Sequence, residues 1–173
     1  MQIVEIPVIV NIKNEKYPRK KDICSLLKYV IGKGNNEEIE DVRNYAFWGL
    51  KNDAEKATVQ IIKIQNTFKG SNKGHRMWHM IVSFPAYFDD EILVSIIADK
   101  MARLIFERFQ LVYGVHTSTE NLHIHFAINA RSYSDGKKLH IGKGNIKTFI
   151  ANLMNEANLF LTDTGYVIRS ELS

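Results

Sequence analysis

The alternation in NLHIHFAIN, residues 121–129, constrains this chain more than any other stretch. Successive side chains of a β-strand point to opposite faces. Leu122, Ile124, Phe126 and Ile128 therefore form one apolar face, while His123 and His125 stand on the other. Such a strand must bury one face and can leave the other polar. HRMWHMIVSFP, residues 75–85, repeats the division: Trp78, Met80, Val82 and Phe84 share one face, His79 and Ser83 the other.

Two long amphipathic segments supply the covering layer. In DDEILVSIIADKMARLIFERF, Asp89 or Asp90 can cap a helix whose stripe is Leu93, Ile97, Met101 and Leu104. NIKTFIANLMNEANLFL reads as a second long helix, and KDICSLLKYVIGKG as a shorter one ending at Gly32 or Gly34. VEIPVIVNIK, ATVQIIKI, LVYGVH and YVIRS read as further strands, NNEEIEDVRNYAFWGL as loop and helix, and NTFKGSNKG as a turn-rich basic loop. The expected fold is a single α+β domain over residues 1–173, with a central, mainly antiparallel sheet and helices packed on one face.

Composition agrees. The 173 residues are 45% hydrophobic and 24% charged, enough for a core without disulfides. Cys24 is the single cysteine, which excludes an internal disulfide and suits a reducing compartment. No apolar run reaches the length of a membrane span, and the first residues lack a secretory pattern. The net charge of +4 permits a polyanionic partner without demanding one.

Three of the six histidines, His116, His123 and His125, fall within ten residues. If LVYGVH and NLHIHFAIN pair around the turn TSTEN, His116 comes to lie opposite His123. Cross-strand neighbours have Cβ atoms ~4.5–5.5 Å apart, close enough for imidazoles to share an ion. Three neutral imidazoles can hold a metal and leave positions open for substrate. A lone histidine on a sheet face is more often a hydrogen-bonded surface group; three on one face, opposite an apolar face, favour the metal. His79 shares the polar face as a ligand or a supporting donor. His75 and His140 lie in loop-like sequence and are expected to be solvated.

In the first helix, Ile23, Leu26, Leu27, Val30 and Ile31 cluster on one side of a helical wheel. Tyr29 falls off that stripe, so it is no obvious core aromatic. With seven tyrosines in the chain, periodicity alone does not choose it.

LLKYVIGKG, HRMWHMIVSFP and VHTSTENLHIHFAIN, in this order and spacing, resemble the three motifs of plasmid mobilisation relaxases, His-hydrophobic-His endonucleases that begin conjugative DNA transfer. GKKLH resembles the segment that follows their histidine motif. The similarity runs from about Ile23 to Leu139. It implies a central antiparallel sheet flanked by helices, with Tyr29 as nucleophile, Ser83 near the nicked DNA, and His116, His123 and His125 as metal ligands. Asn129 would support the strand or the site. The implied reaction nicks single-stranded DNA at a transfer origin, leaving a 5′-phosphotyrosine and a free 3′-hydroxyl. The family implies Mg²⁺ or Mn²⁺, whereas ligand softness favours ions such as Zn²⁺ or Ni²⁺ at three imidazoles. It also implies a bacterial cytoplasmic protein, with accessory transfer proteins as further candidate partners.

The chain departs from the pattern at Ser118, where many relatives carry an acid; Glu120 is a candidate substitute, and the general base for Tyr29 is unassigned. Arg76, Arg131, Lys137 and Lys138, with Lys33, Lys69, Lys73 and Lys143 in similar loop-like segments, are candidates to track a single-stranded backbone. Tyr45, Trp48 and Phe68 could stack on bases, although core packing is the default for each. A rolling-circle or transposition nuclease would carry its tyrosine on a helix after the histidines, and NIKTFIANLMNEANLF has none. A DNA-binding accessory domain without cleavage, and a small-molecule metallohydrolase, are the remaining readings.

Overall fold

The computed structural model describes residues 2–33, 42–70, 72–117, 119–142 and 144–173. In chain order these residues form β1 (Val4–Lys13), α1 (Lys20–Val30), β2 (Val42–Trp48), α2 (Ala54–Thr67), β3 (Met77–Ser83), α3 (Glu91–Phe106), β4 (Leu111–His116), β5 (His123–Asn129), α4 (Ile146–Leu161) and β6 (Tyr166–Leu172). The six strands make one sheet in the order β2-β4-β5-β3-β1-β6. Every pairing is antiparallel except β1 with β6, which run parallel. The mixed α+β fold and mainly antiparallel sheet are as expected. Among the described residues, no helix is long and apolar enough to cross a membrane.

Alternation builds the larger core. Met80, Val82, Phe84, Ile124, Phe126 and Ile128 point together beneath α3 and α4, whose Leu93, Ile97, Met101, Leu153 and Ala157 close over them. Asp90 caps α3 by accepting the Leu93 N–H at 2.8 Å. The opposite face is not bare. Ile23, Leu27 and Val30 of α1 and Ala57 and Ile61 of α2 pack on Met77, Val112 and Ala127 of the sheet. Helices therefore cover both faces, and the expectation of one covered face is corrected. The cause is a misread element: ATVQIIKI lies inside α2, not in a strand. Its β-branched residues mimic a strand, but Ala54, Ala57, Thr58, Ile61 and Gln65 are buried at helical spacing, and Asp53 caps the helix by accepting the Lys56 N–H.

The other differences are local. VRNYAFW, read as loop and helix, is the edge strand β2 beside β4. The part of that reading before Val42, and the choice of Gly34 as the end of the first helix, lie outside the described residues. The other expected stop, Gly32, follows the last turn of α1 just past its cap residue Ile31, and its φ of +74° suits glycine. Gly32 N–H bonds the Tyr29 carbonyl at 3.0 Å and Lys33 N–H the Lys28 carbonyl at 2.7 Å, closing the last turn in a Schellman arrangement.

Candidate active site

The α1 end is seated on the sheet by a missing side chain. A Cβ on Gly114 in β4 would collide with the Val30 carbonyl, so only glycine lets the last turn of α1 approach this closely. His116 fixes the same carbonyl: its Nε2–H donates to Val30 O at 2.9 Å, satisfying a helix-end acceptor. Val30 faces the core, so the adjacent Tyr29 is turned over the strands at 38% exposure.

The hairpin register delivers the histidines as expected. His116 pairs with His123, and Gly114 with His125. On the other side of β5, Ser83 pairs with His123 and Ile81 with His125. Ring centroids of His116 and His125 lie 4.2 Å apart, and those of His123 and His125 6.2 Å. The ring of Tyr29 sits 5.3 Å from His125, 5.5 Å from His116 and 6.0 Å from His79. The cluster thus holds four imidazoles: His79 Nε2 lies 2.9 Å from His125 Nδ1.

Burial keeps His79, His123 and His125 neutral. His125 is pulled down to about 2 by desolvation, reinforced by His116 and His79. His79 is pulled down to about 4, again chiefly by burial. His123, half-buried, is lowered by the same cause. Neutral imidazole is the ligating form.

Among the described residues, no group of three or more His, Cys, Asp or Glu side chains stands arranged to hold a metal ion. The donor chemistry nonetheless fits one. Thr119 Oγ1 donates to Asn121 O at 2.8 Å, so at 3.1 Å the same oxygen accepts the Nδ1–H of His123. That leaves the Nε2 of His123 as its lone-pair nitrogen. A metal-binding histidine is commonly held in this way through its other nitrogen.

Two grooves meet at Tyr29. One, of ≈ 660 Å³, runs between α1 and the residues after β1 and is lined by Lys13, Lys16, Tyr17, Arg19 and His79 among others. The second, of ≈ 400 Å³, runs past Ser83, His116, His123 and His125. Lys13, Tyr29 and Ile81 line both.

The remaining candidates lie elsewhere. Asn129 is fully buried, six residues along β5 from His123, roughly 20 Å away at ~3.3 Å per residue. It accepts from Gln65 Nε2 at 3.0 Å and donates to Gln110 Oε1 at 3.1 Å, so it supports the strand rather than the histidines. Arg76 precedes β3 at that same far end, where its Nε donates to Gln65 Oε1 and its Nη1 to the Pro18 carbonyl. Arg131 is buried and donates to the Gly136 carbonyl. Lys138 reaches the Lys73 carbonyl at 2.6 Å, and Lys137 stands 3.9 Å from Asp135. Glu120 is exposed on the turn and outside both grooves. Ser118 and Lys143 lie outside the described residues. His140 is exposed as expected, whereas His75 stacks on Trp78 at 3.9 Å between ring centroids and is not simply solvated. Trp48 packs on Phe106.

Sequence reasoning missed Gly114, Tyr17 and Glu15. Tyr17 reaches His79 Nδ1 at 3.4 Å and Glu15 Oε2 at 2.6 Å from a segment with no periodicity to read. The run of Lys13, Lys16 and Arg19 was the available signal for the groove.

A family model described as a MobA/VirD2-like relaxase nuclease domain matches residues 29–159, beginning at Tyr29 itself. Protein TraI of Escherichia coli is 35% identical over 114 residues, which make up 64% of this chain and 15% of TraI. A structure from work on the molecular basis of vancomycin resistance transfer in Staphylococcus aureus superposes with a TM-score of 0.62 at 14% identity, covering 94% of this chain and 96% of its own. The MobM relaxase domain, in a Mn-bound crystal structure with plasmid pMV158 oriT DNA, gives 0.58 at 13% identity, covering 88% and 86%. At those identities the two structures speak for the fold, and it is the family match over most of the chain, reaching from the tyrosine past all three histidines, that decides: this chain belongs to the MobA/VirD2-like relaxase nuclease-domain family.

Proposed function

We propose that this domain nicks one strand of DNA at a plasmid or integrative-element transfer origin, with Tyr29 as nucleophile, and so begins conjugative mobilisation. The carrying observation is the exposed Tyr29 ring over three histidine rings, 5.3–6.0 Å away, where two grooves meet. In the reaction, the Tyr29 hydroxyl oxygen gives up its proton and attacks phosphorus. The bond from phosphorus to the 3′ oxygen breaks, and that oxygen takes up a proton. The 5′ phosphate is left esterified to the tyrosine. One phosphodiester replaces another, so the bond is conserved and the strand can be rejoined.

The chain's own part is positioning. The Schellman end of α1 and its seat on Gly114 hold the last turn, so Tyr29 does not have to be ordered when substrate arrives. Lys13 and Lys16 offer positive charge to a single-stranded backbone in the larger groove, whereas the Arg19 guanidinium is paired with Asp22 at 2.8 Å. Ser83, half-buried and lining the smaller groove, would contact DNA beside the nick. His116, His123 and His125 would hold a divalent ion, Mg²⁺ or Mn²⁺ in use, with Zn²⁺ or Ni²⁺ as tight alternatives. When bound, the ion neutralises charge on the phosphate oxygens. The MobM domain's Mn-bound complex with oriT DNA supports this choice of partner and ion.

The test is a single-stranded oligonucleotide carrying an inverted repeat and nick site taken from the DNA beside this reading frame, incubated with Mn²⁺. Wild-type protein should give a covalent adduct that survives a denaturing gel, and Tyr29→Phe should bind the oligonucleotide without forming one. Binding without an adduct in the wild type would make this an accessory DNA-binding domain instead.

A further inference from the structure

Outside the nucleophile and the three ligands, one chain of hydrogen bonds ends on the site. Tyr17 OH lies 2.6 Å from Glu15 Oε2 and 3.4 Å from His79 Nδ1, and His79 Nε2 lies 2.9 Å from His125 Nδ1. Counting hydrogens gives it a direction. The Glu15 carboxylate can only accept, so the Tyr17 hydroxyl donates its single hydrogen there. The Tyr17 oxygen is then the acceptor for His79 Nδ1–H. A neutral His79 protonated at Nδ1 offers a lone pair at Nε2, and that lone pair accepts the Nδ1–H of His125. The lone pair of His125 is left on Nε2.

We propose that Glu15, Tyr17 and His79 are positioning residues that lock His125 in its Nδ1–H tautomer, so that its Nε2 is the nitrogen presented to a divalent cation. This rests on the metal-centred reading above. It also brings His125 into step with His123, whose Nδ1–H is directed at Thr119. Glu15 then fills, at one remove, the place of the carboxylate that neither Ser118 nor Glu120 supplies.

The backbone around Tyr17 is braced in the conformation the relay needs. Tyr17 is the non-glycine residue with a positive φ among those described, at +49°, a conformation that costs energy and needs its surroundings to hold it. Arg76 does the holding: its backbone N–H donates to Lys16 O at 3.0 Å and its guanidinium to Pro18 O at 3.1 Å, bracketing Tyr17 on both sides. Burial and the Glu15 carboxylate push the Tyr17 hydroxyl well above the ordinary phenol range, so it stays a donor.

The readout is the imidazole ¹⁵N spectrum of metal-free protein, with His79 and His125 assigned through their glutamine variants. Wild type should show both rings protonated at Nδ1. Tyr17→Phe removes the acceptor for His79 Nδ1–H and frees the pair to reverse, so both rings should move toward Nε2–H. Glu15→Ala, at an exposed position, should do the same in smaller measure. Mn²⁺ affinity, by calorimetry, should drop roughly 10–100-fold in Tyr17→Phe, the range for outer-shell partners of metal ligands. Finding His125 protonated at Nε2 in the wild type, or unchanged tautomers in both variants, overturns the proposal. A wild type that binds no Mn²⁺ contradicts the metal reading instead, and the metal-free spectra still decide the relay.

Discussion

At one end of the sheet face covered by α1 and α2, Asn129, Gln65 and Gln110 are buried and bonded to one another. Asn129 links both glutamines, Gln65 also donates to Arg76 O, and Gln110 to Gly49 O. At the other end, His79, His116 and His125 are nearly as buried, but their cluster opens past Tyr29 into two grooves. The first group is closed, its polar atoms bonded within the protein, which is how buried polar groups hold a fold together. The second brings a cluster of imidazoles, His79 and His125 among them held neutral by burial, to a solvent-accessible mouth, which is how sites are built. Burial alone does not separate them; the groove does.

The comparison breaks if exchanging the two ends has equal effects. His123→Ala, at the half-buried mouth where its partner Thr119 is exposed, should weaken Mn²⁺ binding by more than the roughly 10–100-fold typical of outer-shell losses, and should leave the unfolding midpoint nearly unchanged. Asn129→Ala should do the reverse. It strands buried partners on Gln65 and Gln110, so it should cost about 1–3 kcal/mol of stability with ion affinity intact. Calorimetry and denaturant titration on both variants read the two axes together. Metal affinity lost in Asn129→Ala would erase the distinction.

Gly114 tests how the open end is held. Gly114→Ala must push Val30 and the last turn of α1 off the sheet. A displacement of about 1 Å at a reacting group can cost roughly 100-fold in rate, so nicking should fall by about that much while oligonucleotide binding changes little. Unchanged single-turnover nicking would mean that the seat of α1 does not set Tyr29.

A smaller effect separates the cations. Lys13→Ala, at the junction of the grooves, should reduce the salt slope of single-strand binding by about 0.7, the value for one phosphate contact. Lys137→Ala, beyond the closed end, should leave the slope alone. Equal slopes in both variants would spread the DNA path over the whole face.

The smallest expected effect is on acid stability. His79, His123 and His125 all have folded-state values below the unfolded value of ~6.5. Below that pH the unfolded chain takes up protons that the folded chain refuses, so stability of metal-free protein should fall from pH 7 to pH 5. His79→Gln should flatten that fall in denaturant midpoint, and the exposed His140→Gln should not.

Much of this was legible because it is periodic. Alternation alone put His123 and His125 on one face, the turn length put His116 across from His123, and the helical wheel turned Tyr29 away from the core. What failed was not periodic or was periodic in disguise. The β-branched run in α2 satisfied a strand pattern over a few residues, and with that helix lost, the second covered face was lost too. Arg76 and Arg131 looked like DNA contacts because charge reveals nothing about which end of a sheet a loop reaches; both are engaged in bracing backbone. Tyr17 owes its position to a positive φ and to Arg76, neither of which leaves a trace in the order of residues.

Identity of the attacking oxygen is the central claim, and two tyrosines touch the histidine cluster: Tyr29 through its ring and Tyr17 through its hydroxyl. Peptide mapping by mass spectrometry of the wild-type covalent adduct distinguishes them directly. The nucleotide should be found on the peptide containing Tyr29; an adduct on Tyr17, or on Tyr45, Tyr113 or Tyr133, would contradict the account.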